Sequence, residues 1–253
     1  MAAHRVELFS LPLEERDAEL SLLDLARLDD SDPPAVSFLT SNERAEYGWL
    51  RHAGRRREWL GARACLKAML LGLGAIREPT QCEIVKSAGG RPRLQFPPGF
   101  PLTPVHDCSL SHKAAMACGC VSSRPNSRVG VDVEQPSSRL ARLAAAFVHP
   151  RDRLIRSRPA EIELAILWTL KEACAKAVGT GIWIGLESVI CRETAAGRHR
   201  LTIEGGPEFQ GRHFLYNGYV VALALTESKT QIRFDRITKP STRRRPERAK
   251  AAQ

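Results

Sequence analysis

Apolar and polar positions change their period several times along this chain, and each change predicts an element. "RVELFSLPL" near the N-terminus alternates and predicts a strand, while "LSLLDLARLD" reads as a short helix. From Ser41 to Leu73 the spacing predicts a helix with Ser41 as N-cap, Gly54 as a point of interruption and Gly72 and Gly74 at its end. Its second half sets Trp59, Leu60, Leu66, Met69 and Leu70 at helical spacing, with Arg56, Arg57, Arg63 and Lys67 among them. "CEIVKS" is strand-like, and "AGGRPRLQF" is a turn leading into another short strand. "FPPGFPLTP" is a proline-rich connection. "CSLSHKAAMACGCVS" reads as strand, turn and strand, and "VGVDVEQ" as a strand ending in a turn at Pro136. "LARLAAAFV" and "AEIELAILWTLKEACAKAVG" are helical, and "ESVICRE", "HRLTIEG", "RHFLYN" and "YVVALAL" are strands. Helices and strands occur in both halves, and neighbouring strands are joined by short turns. This pattern predicts an α+β fold with antiparallel sheets rather than a doubly wound parallel one.

Composition narrows the class. The chain has 253 residues, 43% hydrophobic, enough for one large domain or two subdomains. No apolar run nears the roughly 20 residues of a membrane span, and charges interrupt any signal-like core, so a cytoplasmic protein without membrane contact is expected. The seven cysteines are odd in number and form no CxxC pair, which favours reduced thiols over disulfides or a zinc site. The net charge is +10. Residues 239–253 form a basic tail, read as disordered, with six Lys or Arg against Glu247. The rest stays basic, which suits either plain solubility or an acidic partner.

Candidate chemistry sits in four short stretches. In "GVDVE", Asp132 and Glu134 point to one strand face and Val131 and Val133 to the other. That acidic face is either solvated or a site for a hard cation such as Mg2+. "WTLKEACAK" puts Lys171, Glu172 and Lys176 on an otherwise apolar helix. Glu172 and Lys176 form either a surface (i, i+4) pair or, since a covered helix needs partners for its charges, a third carboxylate with phosphate-neutralising lysines. "SLSHK" (Ser109–Lys113) and "GGRPR" (Gly89–Arg93) are, taken singly, a strand-end histidine and a turn with an arginine.

In this order, "GGRP", "SLSHK", "GVDVE" and "WTLKEACAK" resemble the 4′-phosphopantetheinyl transferases of the surfactin-synthetase-activating type. "RREWLGARACLKAML" and "AAAFVHPRDRL" resemble two further segments of that family, so the likeness covers most of residues 40–225. The chain departs from the family pattern at Arg91, Cys108, Ser109, Lys113 and Asp152. The resemblance implies two similar α+β halves related by a pseudo-two-fold, residues 1–125 and 126–238, with the active site in the cleft between them. The boundary then falls in the loop Ser122–Arg128. It implies Mg2+ on Asp132, Glu134 and Glu172, with Glu172 and Lys176 as catalytic residues. Coenzyme A as substrate would meet Arg57, Arg63, Arg91, Ser111, His112 and Lys171, with His112 at the 3′-phosphate. The expected partners are apo acyl or peptidyl carrier proteins, acidic around their serine, and a monomer that binds no nucleic acid is expected. Two other classes stay open from the residues alone: a metal-dependent nuclease or other phosphodiester-processing enzyme, and a non-catalytic basic module acting through its tail.

Overall fold

The computed structural model describes residues 7–10, 18–28, 33–87, 89–101, 103–155, 158–179 and 185–226. The basic tail at 239–253 lies outside the described residues. Among the described residues, eleven strands form three antiparallel sheets. The first holds β1 (Glu7–Ser10), β2 (Ala18–Asp24), β6 (Met116–Ser122) and β5 (Asp107–Lys113) in that order. The second runs β7 (Val129–Glu134), β11 (Tyr219–Thr226), β10 (Glu208–Tyr216), β9 (Arg198–Ile203) and β8 (Val189–Ala195). A small hairpin pairs β3 (Glu83–Lys86) with β4 (Pro92–Gln95).

The two larger sheets stack face to face, and the strand period explains how. Leu20 and Leu22 of β2 and Cys118 and Cys120 of β6 share one core with Val129, Val131 and Val133 of β7 and Val221, Leu223 and Leu225 of β11. The alternate residues turn outward to a helix on each side. Leu23 and Ala117 pack with Leu60 and Cys65 of α3 (Ala53–Gly72). Val220, Ala222 and Ala224 pack with α5 (Ala160–Val178). The layers are therefore helix, sheet, sheet, helix. Both faces of the central strands are covered, which is why they read as nearly continuous apolar runs.

Gly130 reveals how close the α5 layer lies. A Cβ there would sit 2.6 Å from Ala177 N and collide with the carbonyl oxygen of Ala173. The glycine of "GVDVE" lets the helix backbone rest on β7, so the side chains of Asp132 and Glu134 emerge beside α5.

Three expectations need correction. "LSLLDLARLD" is mostly strand β2 followed by a 3₁₀ turn at Leu25–Arg27. Its apolar residues serve two cores on opposite faces, and a short apolar run does not reveal its period. The helix expected over Ser41–Leu73 is two helices, α2 (Ser41–Trp49) and α3, separated at Leu50–His52. Gly54 lies inside the first turn of α3. The N-cap is Thr40, whose hydroxyl accepts from Glu43 N at 3.3 Å while Glu43 accepts from Thr40 N at 2.9 Å. The described residues also form two short helices, α1 (Pro33–Ser37) and α4 (Ser138–Leu143), the latter continued by a 3₁₀ turn at Ala144–Ala146. All seven cysteines are free and buried.

Candidate active site

The edges of the two stacked sheets adjoin where β5 lies beside β7. Val131 N donates to Ser109 Oγ at 3.1 Å across this edge. Because strand side chains repeat every two residues, Ser111 and Lys113 follow Ser109 on the side facing β7. The last turn of α5 arrives at the same place with Lys176.

Three groups close a tight triangle there. Ser111 Oγ donates to Asp132 Oδ1 at 2.7 Å, Lys176 Nζ donates to the same oxygen at 2.7 Å, and Lys176 Nζ lies 2.8 Å from Ser111 Oγ. The ammonium also reaches Val131 O at 3.1 Å. Burial works against the charged form of Lys176, but the charge and hydrogen bond of Asp132 outweigh it, so its affinity for a proton is raised. Lys176 thus turns toward Asp132 across the layer rather than along the helix. Asp132 and Glu134 are both buried, so the solvated-face alternative is excluded.

Glu134 holds a second ammonium. Lys113 Nζ lies 2.8 Å from Glu134 Oε1 and 2.9 Å from Oε2. Glu172 is half-buried on α5; burial raises its carboxyl above the usual range, the charges of Asp132 and Glu134 raise it further, and Lys176 opposes them. The three carboxylates therefore feel one another. Lys176 sits on Asp132 and Lys113 on Glu134. Among the described residues, the grouping of three ligand atoms within 4.8 Å lies elsewhere, at Glu193, His199 and His213.

The residues expected at coenzyme A divide into two sets. Ser111 belongs to the triangle. His112 is 39% exposed on the neighbouring side, its Nδ1 3.3 Å from Glu58 Oε2. Burial lowers its proton affinity, Glu58 raises it, and Lys176 and Arg55 lower it. Arg57 is exposed on the first turns of α3.

Arg63, Arg91 and Lys171 are instead occupied in the body of the protein. Arg63 is buried over the Trp59 ring, 3.3 Å from its centroid, and pairs with Glu43 and Glu46 at 3.5 and 3.4 Å. Lys171 is fully buried, with Nζ 2.7 Å from Asp152 Oδ2 and 2.7 Å from Phe147 O. Arg91 donates to the backbone oxygens of Lys176, Ala177 at 3.1 Å and Val129 at 2.9 Å, and pairs with Asp107. Asp107 in turn accepts from Val129 N at 2.8 Å. Arg91 is a clamp tying the β3–β4 turn to the end of α5 and the start of β7, and so it positions Lys176. Gly179, at φ 86°, ends the helix beside it.

Lys113, Glu58 and Arg55 are neighbours of the site that sequence reasoning did not select. The strand period offered a signal for Lys113, which shares a face with Ser111. Glu58 and Arg55 precede Trp59 on α3 and meet His112 only through the packing of α3 on the first sheet.

Residues 128–224 match the family model of the 4′-phosphopantetheinyl transferase superfamily. No curated protein matches the chain significantly. The matched segment carries Asp132, Glu134, Lys171, Glu172 and Lys176, whereas Ser111, His112 and Lys113 precede it. The mixed α+β architecture with antiparallel sheets is consistent with the fold of that superfamily, and the match points to a transferase of that kind. No described helix is long and apolar enough to cross a membrane.

Proposed function

We propose that this chain transfers the 4′-phosphopantetheine group of coenzyme A to a serine of an apo carrier protein, as the surfactin-synthetase-activating type does. The observation that carries the reading is the Ser111–Asp132–Lys176 triangle with Glu134 and Glu172 beside it. Buried carboxylates next to lysines suit a pyrophosphate, whose oxygens need cations and whose departure develops negative charge.

In this reading the carrier serine Oγ attacks the β-phosphorus of coenzyme A. The bond from that phosphorus to the bridging oxygen breaks, and adenosine 3′,5′-bisphosphate leaves. Glu172 takes the serine proton; its raised affinity for a proton brings it closer to neutral pH, where a general base works best. Lys176 stabilises the leaving phosphate. Asp132, Glu134 and Glu172 offer the oxygen donors that Mg2+ prefers and would hold it once Lys176 and Lys113 give way; the ion would supply positive charge to offset that of the phosphates. Purified protein with coenzyme A, Mg2+ and apo carriers of fatty-acid, polyketide and peptide-synthetase type should add one phosphopantetheine group to a carrier by intact mass. No mass gain on any carrier would overturn the reading.

Two further results are expected. Lys113 competes with a cation for Glu134, and the pair is partly exposed, worth about 0.5–1 kcal/mol. Lys113→Met should therefore lower the half-saturating Mg2+ concentration about two- to fivefold. An unchanged or higher Mg2+ requirement would remove Lys113 from this role. The second concerns His112, half-exposed and with lowered proton affinity. His112→Ala should raise KM for coenzyme A about tenfold, one hydrogen bond's worth, with a smaller change in kcat. Comparison with 3′-dephospho-coenzyme A checks the contact: a variant that discriminates between the two substrates as strongly as wild type does not use His112 at that phosphate.

A further inference from the structure

Glu193, His199 and His213 stand on β8, β9 and β10, three consecutive antiparallel strands. Glu193 is directly opposite His199, and His199 is opposite Gly211. His213 lies two residues beyond Gly211, so all four residues face the same side of the sheet. The missing side chain at Gly211 matters here. A Cβ there would press to 3.1 Å from His199 Cβ and 3.2 Å from Leu170 of α5. Without it the His199 ring leans diagonally toward His213, and the two ring nitrogens, Nε2 and Nδ1, come within 2.6 Å. One ligand atom from each of Glu193, His199 and His213 lies within 4.8 Å of the other two.

We infer that these three residues form a metal site of the zinc class, separate from the Asp132 set. Two imidazole nitrogens and one carboxylate oxygen are a donor set for Zn2+ and related transition metals, and imidazole disfavours Mg2+. Outer partners orient the ligands as metal sites require. Cys191 Sγ lies 3.6 Å from His199 Nδ1, leaving Nε2 to face the site. The Glu193 carboxylate accepts from Ile155 N at 2.6 Å and Gly197 N at 3.2 Å. Both histidines are buried, and burial first, then neighbouring positive charge, lowers them to about 3 and about 4, so they are neutral ligands at neutral pH. Metal binding replaces the hydrogen bond between the rings and opens their nitrogens to about 3.3 Å, the spacing set by tetrahedral Zn–N bonds of about 2.0 Å. The competing cation is Arg158, 3.8 Å from Glu193 and partly exposed, which is displaced outward. The bound ion would tie the β8–β10 strands to the segment at Ile155 that precedes α5. The inference does not rest on the proposed transfer activity.

The test uses the full chain, stripped with EDTA and dialysed, then titrated with Zn2+ and, separately, Co2+. One equivalent should bind, Co2+ should give visible ligand-field bands, and two histidine side chains should shift in nitrogen-detected NMR. Glu193→Gln keeps one of the two oxygens that accept from the backbone, the one serving Ile155 N, and His213→Gln keeps a polar group. Either should weaken Zn2+ binding about a hundredfold, at or beyond the 10- to 100-fold cost of losing an outer partner. Asp132→Asn should bind Zn2+ as wild type does. Absence of stoichiometric uptake in the wild type overturns the inference. So does uptake that leaves the histidine resonances unmoved, or uptake lost in Asp132→Asn and retained in His213→Gln.

Discussion

Asp132→Asn should reduce carrier modification by about 10²–10³-fold, because it removes the negative charge that holds Lys176, and would hold Mg2+, against the pyrophosphate. The substitution keeps one oxygen that can accept from Ser111 and Lys176, removes the charge and turns the other oxygen into an amide donor. It also tests a point the strand pattern concealed. A carboxylate on an open strand face would be removable without structural cost, but Asp132 is buried and bonded at 2.7 Å to both partners. A truncation to alanine would leave Lys176 and Ser111 without that acceptor, at about 1–3 kcal/mol. Asparagine keeps the acceptor but not the charge that offsets the burial of Lys176, so the thermal midpoint should fall less than in an alanine variant while the rate collapses. Rates of holo-carrier formation and a melting curve measure both. A rate within tenfold of wild type would remove Asp132 from the reaction.

Arg91→Ala should cost about 3 kcal/mol of stability, because it leaves Asp107 with only Val129 N and the more distant Arg128 and withdraws donors from the end of α5. Urea unfolding gives the value. For the fraction that stays folded, KM for coenzyme A should change little, while kcat falls as Lys176 loses its anchored helix end. A variant of nearly native stability whose KM for coenzyme A rises tenfold would return Arg91 to the coenzyme and end its assignment as a clamp.

These two residues mark what local sequence could and could not distinguish. Asp132, Glu134, Glu172 and Lys176 were legible because charges in apolar segments need partners, and the strand and helix periods predict which side each faces. Arg91, Arg63 and Lys171 carry the same charge as Lys176, yet each is spent on a carboxylate of the protein: Asp107, Glu43 and Asp152. Nothing local distinguishes an arginine that meets a ligand from one that meets a carboxylate 16 residues further along the chain. The β2 segment was misread for a related reason. Its two faces serve different cores, so its apolar run has no single period, and only the neighbouring sheet and α3 decide that it is extended.

The sequence by itself determined the α+β class, the strands from β3 to β11, the long helix α5 and the carboxylate set beside it. These depend on local periods and on the cost of burying a charge, both written in contiguous residues. The tertiary structure decided which cations belong to the site. It stacked two sheets so that β5 meets β7, laid α5 on Gly130, and thereby gave Lys176 to Asp132 and Lys113 to Glu134. It also gathered Glu193, His199 and His213 from three strands. Pairing of charges across layers depends on distances of a few ångströms between residues far apart in the chain, and only packing fixes such distances.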